Sequence, residues 1–141
     1  MLHIRRYRKS DEAAVRRLIL DVWGKRWLDG VLYDFGRTEA FLAELDGRIV
    51  GAVTMIPGSF AWLIDELIVA KRWRKHGVGS AMLHFAIAHA RKHGSRFVKV
   101  FVEKDNKTGL AIYKKFGFKR CGKIRNAFEP KDCYVYMCKF L

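Results

Sequence analysis

At 141 residues with half of them hydrophobic, the chain is long enough to bury a real core and gives no reason for a second unit, so residues 1–141 are expected to form one domain. Its longest apolar stretch, near "WLIDELIVA", is broken by Asp65 and Glu66 and falls short of the roughly 20 residues of a membrane span. The charge-rich "MLHIRRYRKSDEAAVRRL" lacks the apolar centre of an export signal, so a soluble, cytoplasmic protein with no membrane partner is expected. The formal net charge of +14 would gather polyanions and small anionic cofactors alike.

In chain order, His3 to Tyr7 reads as a short first strand. Ser10 is placed to cap a helix whose first turn holds Asp11 and Glu12, and Val15, Leu18, Ile19 and Val22 follow at helical spacing to about Trp23. "FLAELDGRIVGAVTMI" reads as a hairpin turning at Asp46-Gly47, a pair suited to a type I′ turn. "WLIDELIV" is a further strand. The cationic, glycine-bearing "RWRKHGVGS" follows it, and then a helix carries Val78, Ala81, Met82, Phe85, Ala86 and His89 on its buried side, with Gly94 placed to end it. "RFVKVFVE" is a strand, "NKTGLAIYKKF" a short helix and "CYVYMCKFL" a closing strand. The order is mixed α and β, with antiparallel pairs early and a strand-helix-strand crossover in the middle.

A glycine-rich turn between a strand and a helix N-terminus leaves backbone N–H groups free beside the positive end of the helix dipole, where phosphates bind. Gly77 and Gly79 lie at such a turn, with Arg74 and Lys75 adding charge. The spacing is neither GxxxxGK[ST] nor GxGxxG, which disfavours a nucleoside triphosphatase or a dinucleotide-binding Rossmann unit. Arg74, Lys75, His76, Gly77, Val78, Gly79 resembles instead the acetyl-CoA loop of the GCN5-related N-acetyltransferase (GNAT) superfamily: Gln or Arg, two residues, Gly, one residue, then Gly or Ala. The resemblance extends upstream to Leu67, Ile68, Val69 and to the hairpin, and downstream to Asn106, Tyr113, Gly117 and Phe118. Gly109 departs from the family's usual Ala.

This resemblance implies an α/β (α+β) GNAT fold, a mixed, mostly antiparallel sheet of about seven strands splayed between the fourth and fifth and flanked by helices. It implies acetyl-CoA as co-substrate, with the amides from Arg74 to Ser80 on the pyrophosphate, the backbone of Leu67, Ile68 and Val69 pairing with pantetheine, and Asn106 near the pantetheine arm. Acetyl transfer to an amine needs a group to take the amine's proton. Asp65 and Glu66, interrupting an apolar strand, are the candidates, with Asp65 favoured and only one of the two expected in the cleft, because adjacent strand residues face opposite sides. Tyr113 is the expected acid towards the departing thiolate, the N–H near Val69 an oxyanion donor, and Glu103 a weaker alternative base.

Competing structural roles are core or surface packing for these residues. His89 and His93 lie four apart without HExxH or a third ligand, so no metal is expected, and His76 and His84 read as rim or surface residues. Cys121, Cys133 and Cys138 lack CxxC spacing and are expected as reduced packing residues. Trp23 is expected in the core, with Trp27, Tyr33 and Phe35 divided between core and acceptor contact. The resemblance implies an amine acceptor, on a small molecule, polyamine or protein, and a monomer or homodimer. A basic nucleic-acid- or ribosome-associated module with little catalysis is the alternative, given the aromatics among the cations of "RRYRK" and "RWRK".

Overall fold

The computed structural model describes residues Met1–Leu141. Strand β1 (Leu2–Arg6) is followed by helix α1 (Glu12–Val22), helix α2 (Leu28–Phe35) and the strands β2 (Glu39–Leu45), β3 (Arg48–Ile56) and β4 (Ala61–Val69). Helix α3 (Val78–Lys92), β5 (Phe97–Glu103), α4 (Lys107–Lys115), β6 (Lys119–Arg125) and β7 (Cys133–Phe140) complete the order. The strands form one mixed seven-stranded sheet, β1-β2-β3-β4-β5-β7-β6, in which only β4 and β5 run parallel. This is the sheet that the sequence led us to expect.

Strand alternation sorts the core into two layers. On β2, Phe41 and Ala43 join the cluster under α3 with Val53, Met55, Met82 and Leu83, while Ala40 and Leu42 join Val15, Ile19, Val31 and Phe35 under α1 and α2. Gly51 on β3 sits where α3 comes closest, since a Cβ there would lie 2.7 Å from Met82 Cε and 2.8 Å from the Ile68 carbonyl oxygen.

Two local expectations change. Helix α1 is entered through Asp11, not Ser10: the Asp11 carboxylate accepts from the Arg8 N–H at 2.8 Å and from both terminal guanidinium nitrogens of Arg5, each at 2.9 Å. That bidentate pair also places β1, because Arg5 Nε donates to Glu44 on β2 at 2.8 Å. Trp23 is not core but 39% exposed, whereas Phe35 is buried. No helix is long and apolar enough to cross a membrane.

The feature that positions the site is where β4 and β5 part. Their pairing runs from Ala61 opposite Phe97 to Ile64 opposite Val100 and stops. Beyond it β4 stays paired with β3 through Val69, and β5 stays paired with β7 through Glu103. The β4 edge from Asp65 to Val69 therefore has no strand beside it.

Candidate active site

The opening between β4 and β5 widens into a cavity of about 650 Å³, bounded by α2 on one side and by α4 on the other. A volume of this order suits a small ligand. The glycine loop follows the C-terminal end of β4, beyond the residues that line this cavity. Lys71–Trp73 makes a short 3-10 turn, Arg74 is extended, and Lys75 and Gly77 are both left-handed, with φ of 63° and 81°. No backbone carbonyl accepts from any N–H between Lys75 and Ser80. These amides cluster at the N-terminus of a 15-residue helix, and no carboxylate lies within ion-pair distance of Arg72, Arg74 or Lys75. Unpaired donors, a helix dipole and unneutralised cations together fit an anion such as a pyrophosphate. Gly79 faces the gap between Val69 and the α4 residue Ile112, where a Cβ would come within 3.5 Å of Val69 Cγ2.

On β4 the register slips by one between Thr54 and Met55 on β3, so that Glu66 pairs with Thr54 and Ile64 with Met55. Asp65 is the extra residue of this bulge. A bulge breaks the alternation of side chains, and Asp65 and Glu66 both line the cavity, where one of them was expected. A third carboxylate joins them. Trp27, Gly30, Val31 and Asp34 recur at helical spacing along the cavity side of α2, and the oxygens of Asp34, Asp65 and Glu66 lie within 4.8 Å of one another. Asp34 went unnoticed in the sequence because α2 itself did; its one clue is a position seven residues after Trp27.

Glu66 is only 8% exposed, and the Thr54 hydroxyl donates to its carboxyl. Burial, reinforced by Asp34, pushes its pKa up to about 9. Asp65 is also shifted upward, first by desolvation, with contact from Glu66 opposing and the Asp34 charge adding. Across the cavity Tyr113 is buried on α4 against Phe118, ring centroids 5.3 Å apart, and burial raises its pKa. Asn106 lines the cavity and caps α4, its Oδ1 accepting from Gly109 N at 2.9 Å; a Cβ on residue 109 would fall 2.6 Å from Asn106 Nδ2, so Gly109 makes room for that cap. Glu103, at the end of β5, also lines the cavity and accepts from the Asp105 N–H at 2.9 Å.

The mouth is aromatic. Trp23, Trp27 and Tyr33 reach it from the α1–α2 side, and Phe128 and Tyr134, 5.0 Å apart, from the β6–β7 side. Arg26 ties the two sides together through Glu129 at 2.9 Å. His89 lies elsewhere, with Nε2 3.0 Å from Glu39 Oε1.

The family model for the acetyltransferase (GNAT) family matches residues 11–118. The chain belongs to this GNAT family. Among curated relatives, GCN5-related N-acetyltransferase 6, chloroplastic, of Arabidopsis thaliana is 38% identical over 136 residues, covering 94% of the chain and 45% of that protein. An uncharacterized N-acetyltransferase of Methanocaldococcus jannaschii is 28% identical over 132 residues, 83% of this GNAT chain and 53% of its relative. The chain thus spans about half the length of the curated relatives it matches. Among solved structures, Arabidopsis thaliana Naa50 with a bisubstrate analogue is 25% identical with a TM-score of 0.84, covering 99% of both chains.

Proposed function

We propose that this GNAT chain is an acetyl-CoA-dependent N-acetyltransferase that moves the acetyl group to a primary amine by direct attack in a ternary complex, with residues 1–141 acting as one domain. The observation carrying this reading is the row of unpartnered amides from Lys75 to Ser80, which follows a β4 edge that no strand covers from Asp65 to Val69.

The loop from Arg74 to Ser80 would hold the pyrophosphate through its amides, and Leu67, Ile68 and Val69 offer an unpaired strand edge for the pantetheine amides. Asn106 has its Oδ1 committed to Gly109, which leaves Nδ2 as the donor towards pantetheine. The thioester supplies the acyl group. A neutral amine attacks the thioester carbonyl carbon, the C–N bond forms as the C–S bond breaks, and the proton lost from nitrogen goes to a carboxylate. Asp65 is our choice of base, because Glu66 is already protonated near neutral pH. Tyr113, kept protonated by burial, donates towards the departing sulfur.

Two measurements test the reading. Millimolar CoA should raise the melting temperature, and free thiol should appear from acetyl-CoA when amines, polyamines, aminoglycosides and N-terminal peptides are screened. A well-folded protein whose melting is unmoved by CoA would overturn it.

A further inference from the structure

Helices cover the two faces of the sheet unequally. Val98, Val100 and Val102 of β5 and Val135 and Met137 of β7 belong to the layer under α3 and α4. The α1–α2 layer takes its strand residues from β2, β3 and β4 and none from β5, β6 or β7. The alternate residues of β5 and β7 therefore have no helix packed over them. Register makes that face an array: Phe97 pairs with Phe140 and Phe101 with Tyr136, ring centroids 5.2 and 5.1 Å apart. Between the two aromatic pairs, Lys99 lies opposite Cys138, and Cys138 opposite Lys119 of β6. Phe140 is 75% exposed, and Phe97, Lys99, Phe101 and Tyr136 are half-buried. No carboxylate lies within ion-pair distance of Lys99 or Lys119, and β6 adds Arg120, Lys123 and Arg125 without an acid. We propose that this open face of β5, β7 and β6 binds single-stranded RNA, its bases stacked on the two aromatic pairs and its phosphates met by Lys99 and Lys119. It is a second surface, apart from the glycine loop and independent of the acetyltransferase reading.

Lysines on an edge strand keep sheets from pairing with one another. That role does not account for Lys99, because β5 is an interior strand. A second copy of the chain would set the same cations against these, which disfavours self-association through this face. Rings bordered by unneutralised cations match a chain of bases and phosphates, since every base has a face to stack and every linkage a charge. The net charge of +14 steers a polyanion towards it. A single strand fits better than a duplex, whose paired bases cannot lie flat on these rings. Tyr136 brings the one hydroxyl among the four rings, a partner for the ribose 2′-hydroxyl that DNA lacks. The cationic stretches with aromatics in the sequence lie elsewhere and their rings are already engaged: Tyr7 of "RRYRK" packs on Phe35 at 5.5 Å, and Trp73 of "RWRK" packs against the α3 layer.

Fluorescence anisotropy of the whole chain with a labelled oligouridylate of about 12 nucleotides tests this. Binding should persist in saturating CoA, tighten as salt falls, and be weaker for the same strand paired with oligoadenylate and for oligodeoxyuridylate of the same length. Phe140→Ala should weaken it roughly fivefold or more with the salt dependence unchanged, and Phe140→Tyr should retain it. Lys99→Gln combined with Lys119→Gln should weaken it and flatten the slope of log affinity against log salt by about 1.4, two phosphate contacts' worth. Arg91→Gln combined with Lys92→Gln removes the same charge from the exposed end of α3 and should leave that slope unchanged. Equal losses from the two charge pairs, no loss from Phe140→Ala, displacement by CoA, or equal affinity for the duplex or the DNA strand would each overturn the proposal. Equal competition by polyglutamate would overturn it in favour of an acidic protein, and a dimer seen by light scattering and lost in Phe140→Ala would overturn it in favour of a second copy. Melting curves show that each variant is folded, and no arm depends on acetyl transfer.

Discussion

Thr54 and Glu66 hold each other twice across the β3–β4 pair: the Thr54 hydroxyl accepts from the Glu66 backbone N–H at 3.0 Å and donates to the Glu66 carboxyl. The contact lies beside the bulge at Asp65, so it fixes the strand and the acid together. Thr54→Val keeps the shape and leaves a buried N–H and a buried carboxyl short of a partner. Urea unfolding should show a loss of about 1–3 kcal/mol, and Thr54→Ser should recover most of it.

The upward shift of Glu66 makes stability fall as pH rises. Its carboxyl releases its proton near 4.5 when unfolded and near 9 when folded. Between those values the folded state binds more protons, so its contribution is fully present below about 4.5 and is lost as pH climbs through 9. Denaturant titrations from pH 5 to 9 should decline with a slope of at most about 1.4 kcal/mol per pH unit from this group, and Glu66→Gln should remove that part of the decline.

Tyr113→Phe leaves the ring packed on Phe118 and removes only the hydroxyl. CoA affinity should hold while kcat falls roughly 100-fold, as for loss of a general acid. Thiol release at saturating substrates measures it, and an unchanged kcat would remove Tyr113 from the chemistry.

Gly77 holds a φ of 81° with no atom within 4 Å of where a Cβ would stand. Gly77→Ala therefore meets backbone strain and no clash, and should cost roughly 1–2 kcal/mol of stability. The amides beside it would turn away from a bound anion, so CoA should bind more weakly by about tenfold, read as a smaller CoA-induced rise in melting temperature.

Elements with a strong local code were legible in the sequence. The turn at Asp46-Gly47 has both residues at positive φ, 49° and 77°, as a type I′ turn requires. Helix α3 and the alternating β5 and β7 were equally plain. Strand β6 was not, because Lys119–Arg125 is exposed along its whole length and carries no apolar alternation; it is a strand through its pairing with β7, and only the family resemblance supplied a seventh. Helix α2, eight residues with Gly30 inside it and no side-chain cap, left no readable boundary, and Asp34 was lost with it. The loop residues stood out through glycine spacing, and Asp65 and Glu66 as charges in an apolar strand. That both reach the cavity depends on a one-residue slip against β3, set by pairing between distant segments and invisible in either alone.

The short ladder from Ala61–Phe97 to Ile64–Val100 is the only strand pairing between a four-stranded half and a three-stranded half. The sheet is bound like a book on a short spine, with β4 and β5 unpaired with each other beyond Ile64 and Val100. A molecule lying in the opening would touch both pages and offer backbone partners to an edge that no strand pairs. Occupancy should therefore tighten the coupling between the two halves as well as fill a pocket, making the co-substrate part of what holds the protein together while it works.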